Sequence, residues 1–254
     1  YKSSFSQDKI DFYSLNLKRK YGENWEHIHR KVTSGRLKSW GMNTYGAWSR
    51  TQLGQKHPYT LIIHPRHQGI GAIDKMVDPF SKHFISSLRQ RVKALKKHKN
   101  DPWLLGVFVN NELHWGNELS IPLQVLRLEK PVPARKEMEK MLQKKYGRIS
   151  NLNDAWKTNY TSFENVGPLG KRKFPDAFKE DMRTYFEIFT TAYFKTVAEE
   201  LNKVLPNHLY FGSRFHGNVK TNALIHKIAS RYCDVLSFNI YEYSVKDFKI
   251  HTEI

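Results

Sequence analysis

An apolar run at residues 104–110 (LLGVFVN) leads without interruption into Asn111-Glu112-Leu113-His114-Trp115-Gly116. A glutamate at the end of such a strand has a specific chemical use. Partial burial disfavours the carboxylate and raises its pKa, so the acid can hold a proton and deliver it to a glycosidic oxygen. The Asn111 amide would hydrogen-bond a sugar hydroxyl, with His114 alongside, and Trp115 would offer an apolar platform to a pyranose ring. The plainer use of Glu112 is to cap a backbone end or to pair with a basic neighbour. These residues alone leave both readings open.

Other apolar runs also end in residues suited to a ligand. They are 41–48 with Asn43, Thr44 and Trp48, 59–64 with His64, 209–215 with Arg214 and then His216, and 235–240 with Asn239 and then Tyr241. His64 and Arg66 could hold hydroxyl or sulfate groups, or serve as surface loop cations. Trp48 at a strand mouth could stack on sugar, whereas Trp40 reads as core. The histidines form no metal-ligand spacing, so neither a catalytic metal nor a cofactor is expected. The single cysteine, Cys233, excludes an intrachain disulfide and a thiolate zinc cluster, and in RYCDVLSF it reads as a buried structural residue.

These candidates need a scaffold that brings strand ends together. Short runs rich in β-branched and aromatic residues alternate with longer amphipathic stretches at 25–40, 79–99, 134–146, 151–156, 175–205 and 218–232. That alternation is the pattern of βα units. Asp78-Pro79 reads as a helix start, and Gly147 and Pro206 read as helix ends. Ligand-type residues at the carboxyl ends of several successive strands favour a barrel over an open doubly wound sheet, which concentrates its site at one switch point. The fold class expected is α/β, a single domain over residues 1–254.

The composition supports a folded chain. Of 254 residues, 39% are hydrophobic and 26% charged, which argues against disorder, collagen-like repeats and coiled coil. No stretch is long and apolar enough to span a membrane, and the first residues lack a leader pattern, so no membrane partner is expected. The formal charge of +18 implies an anionic partner or a solvated basic surface. Sulfated polysaccharide fits that field. Nucleic acid would too, but no nucleic-acid motif occurs, and none is expected as a partner.

Several segments carry a further signal in their order: 18–25 (KRKYGENW), 36–49 (RLKSWGMNTYGAWS), 104–116, 146–163 (YGRISNLNDAWKTNYTSF), 209–214 and 234–241. Together they make the sequence resemble the agarases of glycoside hydrolase family 50 and, more distantly, the family 42 β-galactosidases, both of a retaining barrel clan. The likeness covers nearly the whole chain. It implies a TIM (β/α)8 barrel of which this chain holds roughly the second to sixth βα units, incomplete at both ends. It also implies a β-linked galactan as substrate, either agarose or a sulfated relative such as porphyran or carrageenan, and an extracellular or periplasmic location.

The resemblance makes Glu112 the acid/base and Asn111 the holder of the sugar 2-hydroxyl, and it turns Arg214 and His216 toward the cleft. Trp48, Trp115, His216 and Tyr241 would shape that cleft. Two departures stand out. Asn110 occupies a position where the family usually has aspartate, so the hydrogen bonding behind the acid is expected to differ. The family's nucleophile, a glutamate ending the seventh strand, is expected beyond residue 254. Glu253 then falls in a loop, and Glu242 is the internal substitute. The rival expectation is a non-catalytic polysaccharide-binding fragment or pseudo-enzyme, with a complementing chain or segment supplying the missing strands.

Overall fold

Local capping rules set the first helix. Asp11 accepts the backbone N–H groups of Tyr13 and Ser14 at 3.1 and 3.2 Å, and α1 (Phe12–Tyr21) runs from there to Gly22. Gly22 (φ +74°) closes the helix by donating its N–H to the Lys18 carbonyl. The computed structural model of the chain describes residues 11–49, 57–65, 76–128, 132–170, 173–244 and 246. They divide into two units, up to Thr60 and from Leu61.

In the first unit, α1 is followed by α2 (Trp25–Ser39). Neither helix has a hydrophobic core face of its own, since Ser34 is their one buried residue among those described. Ser34 meets the Tyr45 hydroxyl at 3.3 Å. The run at 41–48, expected as a strand, makes one parallel bridge, Tyr45 to Tyr59. Trp40 corrects the core expectation. Its N–H closes α2 on the Arg36 carbonyl, and its side chain is left 66% exposed.

β1 (Tyr59–Ile63), β2 (Leu104–Val109) and β3 (Leu209–Tyr210) form one sheet in that order. β2 and β3 are parallel, pairing Gly106 with Leu209 and Val107 with Tyr210. The run at 235–240 appears as a single parallel bridge, Phe215 to Phe238. Gly106 is required by close approach, because a Cβ there would lie 2.1 Å from the Leu209 carbonyl oxygen and 2.6 Å from the Phe211 ring. Gly106→Ala is therefore expected to destabilise the fold by about 1–3 kcal/mol. A lowered urea midpoint with an unchanged slope would register this, and an unmoved midpoint would contradict the close strand contact.

The second unit's helices are α3 (Lys82–Ala94), α4 (Ser120–Leu126), α5 (Pro133–Tyr146), α6 (Ile149–Trp156), α7 (Asp176–Val204) and α8 (Ala223–Ala229), with short 3-10 turns at Leu95–His98 and Gly217–Thr221. α7 supplies the centre of the core. Phe178, Met182, Tyr185, Phe186, Phe189, Tyr193, Phe194, Val197 and Leu201 recur on one helical face and are buried. Each is worth roughly 1.5–3 kcal/mol of apolar burial if its body is fully withdrawn from water.

Polar residues fasten this core at two points. Asp78 does not cap α3, because Ser81 is the capping residue, accepting from the His83 N–H. Pro79 and an aspartate turn occupy the preceding residues instead. Asp78 takes the Phe80 and Ala134 N–H groups at 2.9 and 3.0 Å, tying the approach to α3 to the first turn of α5, and burial raises its pKa. Asp181 of α7 accepts from Lys145, Tyr146 and Trp156 at 2.7, 2.6 and 2.8 Å.

Burial also pushes up the pKa of Tyr146, Tyr185, Tyr193, Tyr210 and Cys233. Folded values above the unfolded ones mean that the native state keeps its protons longer. Stability from this source is fully present below the ordinary values of about 8.5 for cysteine and 10 for tyrosine, and it falls as pH rises beyond them. Urea midpoints are expected to change little between pH 7 and 8 on this account and to drop above about pH 10. A midpoint rising through that range would contradict the assignment.

Candidate active site

Two neighbouring strand ends leave the sheet through unusual backbone. Asn110 (φ +61°) and Glu112 (φ +52°) follow β2, while Gly212 (φ +71°) and Arg214 (φ +54°) follow β3. Left-handed non-glycine residues cost of order 1–3 kcal/mol each and persist where their surroundings hold them. Here the backbone is tied on both sides. The Asn110 N–H donates to Ile63 O at 2.9 Å, Val109 N–H to Gly212 O at 3.0 Å and Glu112 N–H to Ser213 O at 3.0 Å.

That backbone places the Glu112 carboxyl, half-buried, beside the segment that follows the Phe215–Phe238 bridge. Glu112 Oε1 accepts from Asn239 Nδ2 at 2.6 Å and from the Tyr241 hydroxyl at 2.5 Å. Asn239 also reaches Asn111 Oδ1 at 3.4 Å. An amide N–H can only donate, so the carboxylate sets the orientation of the Asn239 side chain. Asn239 is itself fixed by its backbone N–H on the Phe215 carbonyl at 2.7 Å. The hydrogen bond to Glu112 holds the Tyr241 phenol above its ordinary pKa, opposed by the positive charge of Arg214.

Around this cluster, the Arg214 guanidinium lies 5.0 Å above the Phe108 ring, and the His114 and His216 rings sit 5.7 Å apart. Glu242 is 3.8 Å from Lys220 with 61% of its side chain exposed. The structure thus brings together Asn111, Glu112, Asn239 and Tyr241, and sets His114 beside His216.

Other expected site residues are placed differently. Trp115 is 1% exposed, stacked on Phe194 and edge-on to Tyr193, so it presents no face to a sugar. It reaches that position because the chain turns inward at Leu113 and reverses at Gly116 (φ +62°), where a Cβ would meet the Ser120 hydroxyl. Asn43 and Trp48 belong to the first unit, both exposed, and the Asn43 side-chain oxygen accepts from Thr44. His64 follows β1, exposed, its pKa lowered by partial burial and then by the Arg91 charge. Arg66, His67 and Glu253 lie outside the described residues.

One supporting residue escaped the sequence reading. Tyr193 donates to the Val109 carbonyl at 3.1 Å and accepts from the Asn110 amide at 3.2 Å. Asn110 is therefore committed to the core behind the strand end. On a helix so rich in aromatics, nothing in the spacing separates a tyrosine that anchors a strand from one that only fills space.

The first unit holds a cavity of about 310 Å³ lined by Tyr13, Trp25, His29, Arg30, Thr33 and Tyr45 among others, and none of the expected site residues lines it. Among the described residues no group of three or more His, Cys, Asp or Glu side chains is placed to hold a metal ion. No described helix is long and apolar enough to cross a membrane.

With a carboxylic acid at the end of a parallel strand, the comparisons become specific. Residues 42–252 match the model of glycoside hydrolase family 42, described as beta-galactosidase. The chain belongs to this family. The family 42 chain is also 32% identical over 259 residues to beta-agarase B of Vibrio sp. (strain JT0107), an alignment covering 91% of this chain and 26% of that protein. A solved exo-beta-agarase superposes with TM-score 0.81 at 29% identity, covering 93% of this chain and 36% of that one. A second agarase structure gives TM-score 0.80 at 28% identity, covering 95% and 38%. The resemblance to agarases and, more widely, to β-galactosidases is thereby borne out. The chain spans about a quarter of the length of the curated beta-agarases it matches.

Proposed function

We propose that this chain carries the acid/base half of a retaining hydrolase for β-linked galactans such as agarose or a sulfated relative. The observation that carries the reading is the Glu112 carboxyl at the carboxyl end of β2, held by Asn239 and Tyr241 with Asn111 beside it. Similarity to agarases supports galactan as the substrate class. The scaffold is a TIM barrel domain over residues 1–254, contributing its second to sixth βα units. In its favour, β1, β2 and β3 and, through the Phe215 bridge, the segment at Phe238 join neighbour to neighbour in chain order.

In this reading Glu112 protonates the leaving oxygen and later takes a proton from water, while the Asn111 amide, whose Nδ2 has no partner among the described residues, holds the sugar 2-hydroxyl. His114, His216 and Arg214 line the approach. A retaining reaction requires a second carboxylate about 5–5.5 Å away as nucleophile. That group comes from outside the described residues, from a complementing segment or chain, and the enzyme works outside the cytoplasm.

The test is incubation of the chain, joined to the segment that supplies the second carboxylate, with agarose and carrageenan oligosaccharides, following reducing ends and the anomeric proton of the first product by NMR. Release of product with the β configuration is expected from the completed pair of carboxylates. Binding without release would favour the polysaccharide-binding reading, and the absence of both would overturn the galactan assignment.

A further inference from the structure

Residues 79–100 read PFSKHFISSLRQRVKALKKHKN and contain seven Lys or Arg but no Asp or Glu. Folding sorts the segment into two sides. Phe84, Leu88, Val92 and Leu95 are buried, while Lys82, Arg91, Lys93, Lys96, Lys97 and Lys99 stand exposed along α3 and the 3-10 turn that continues it. None of these six cations forms an ion pair among the described residues, whereas Arg89 shares Glu200 with Lys203. We infer that the exposed side of residues 82–99 is a second binding surface of the chain, and that its ligand is a sulfated galactan.

Like charges held on one side of a helix repel one another, and a polyanion of matching field relieves that repulsion. The packing of α3 selects among polyanions. An anionic lipid surface needs an apolar face to insert, but the apolar side of α3 is already in the core, with Phe84, Leu88 and Val92 at 1%, 0% and 1% exposure. Single-stranded nucleic acid needs aromatic platforms for its bases, and no Phe, Tyr or Trp is exposed between residues 82 and 99. A sulfate ester asks for less. Its oxygens accept from the lysine ammonium groups and the Arg91 guanidinium, and exposed Gln90 and Asn100 add neutral donors for ring hydroxyls. The inference rests on the proposed galactan reading for the choice of a saccharide over a nucleic-acid duplex.

The surface lies away from the acid. Its last cations, Lys96, Lys97 and Lys99, stand a few residues before Leu104, where β2 begins. Glu112 follows the other end of that strand, whose six residues span roughly 20 Å. The 13 residues of α3 lay the cations out over a further length of about 20 Å. Several sulfates of one polymer can therefore be held here while another stretch of it reaches Glu112. The gain is a raised effective concentration at the acid, with no bond made or broken at the lysines. Glu200 is balanced by Arg89 and Lys203, and the next acid along the chain is Asp101, so the strip keeps its positive field.

Calorimetric titration of the chain with carrageenan and agarose oligosaccharides of equal length measures the surface without turnover. Tighter binding of carrageenan at low salt is expected, weakening as salt is raised. The variant Lys93→Gln/Lys96→Gln/Lys97→Gln/Lys99→Gln should bind carrageenan about tenfold or more weakly, with agarose binding unchanged. Exposed lysines contribute little to stability, so circular dichroism should register a retained fold. Removing as many exposed charges elsewhere, in Lys31→Gln/Lys136→Gln/Lys144→Gln/Lys227→Gln, should leave most of the carrageenan binding in place. Equal losses in the two variants would make the net charge responsible and overturn the surface, as would carrageenan bound no more tightly than agarose. Duplex DNA or anionic phospholipid vesicles bound as tightly through the same lysines would overturn the saccharide assignment. Carrageenan binding through these lysines by a chain that, joined to its second carboxylate, cleaves no galactan would preserve the surface and sink the hydrolase reading.

Discussion

If the proposed acid role holds, Glu112→Gln should reduce hydrolysis of an unactivated galactan by ~10²–10⁴-fold, the usual contribution of a positioned general acid. Glutamine keeps the side-chain shape and retains an oxygen for the Asn239 and Tyr241 donors, which reach the acid at 2.6 and 2.5 Å. What it loses is the transferable proton. Substrate affinity should consequently be preserved, and the loss should appear in kcat. The leaving group gives a sharper discriminator. An aryl galactoside with an acidic phenol departs without protonation, so its bond-breaking step should suffer far less than that of a galactan oligosaccharide. Activity within tenfold of wild type on the natural-type substrate would remove Glu112 from the acid role. An equal deficit on both substrates would point instead to damaged binding or nucleophilic attack.

Asp181→Ala is the substitution expected to harm stability most. The Asp181 side chain is 1% exposed, yet it accepts from Lys145 of α5, Tyr146 at the end of α5 and Trp156 of α6 at 2.6–2.8 Å. Alanine would strand the Trp156 indole N–H in a fully buried site and leave Lys145, among the described carboxylates, with Glu180 at 3.7 Å. Leaving a buried donor without its acceptor costs about 1–3 kcal/mol, and the Trp156 indole N–H, unlike the 40% exposed Lys145, cannot regain a partner from water. Asp181→Asn, which keeps a carbonyl acceptor, should cost less. Urea denaturation at neutral pH would measure both. A loss below about 1 kcal/mol for the alanine variant would mean that these groups find other partners and that the α5–α6–α7 junction does not depend on the carboxylate.

Much of the helical framework was legible before any tertiary contact was known. The stretches expected at 25–40, 134–146 and 175–205 correspond to Trp25–Ser39, Pro133–Tyr146 and Asp176–Val204. Apolar periodicity, capping side chains and terminal glycine or proline act within a few residues of the chain, so a local reading reaches them. α4 was missed because a short helix with Pro122 inside it presents too few turns for periodicity to emerge. Strands were harder. The run at 209–215 yields only Leu209–Tyr210 as regular strand, because beyond it the chain keeps its hydrogen bonds to the end of β2 through left-handed backbone at Gly212 and Arg214.

The two tryptophans make the same point for side chains. Trp40 was expected inside and Trp115 outside, and the structure exchanges them at 66% and 1% exposure. Both are large and amphipathic, and which face of the molecule each meets depends on helices distant in sequence, α7 above all for Trp115.

The amino-acid order was sufficient to specify a basic α/β chain, the position of an acidic residue at a strand end, and the kinship of that segment with galactan hydrolases. Side-chain type and local spacing contain the first two, and the kinship came from resemblance to a known family over several segments in the same order. Folding in three dimensions was needed to bring Asn239 and Tyr241, 127 and 129 residues further along, onto one oxygen of Glu112, and to turn Asn110 toward Tyr193. Hydrogen bonds are satisfied between groups close in space, and separation along the chain has no bearing on which donor arrives.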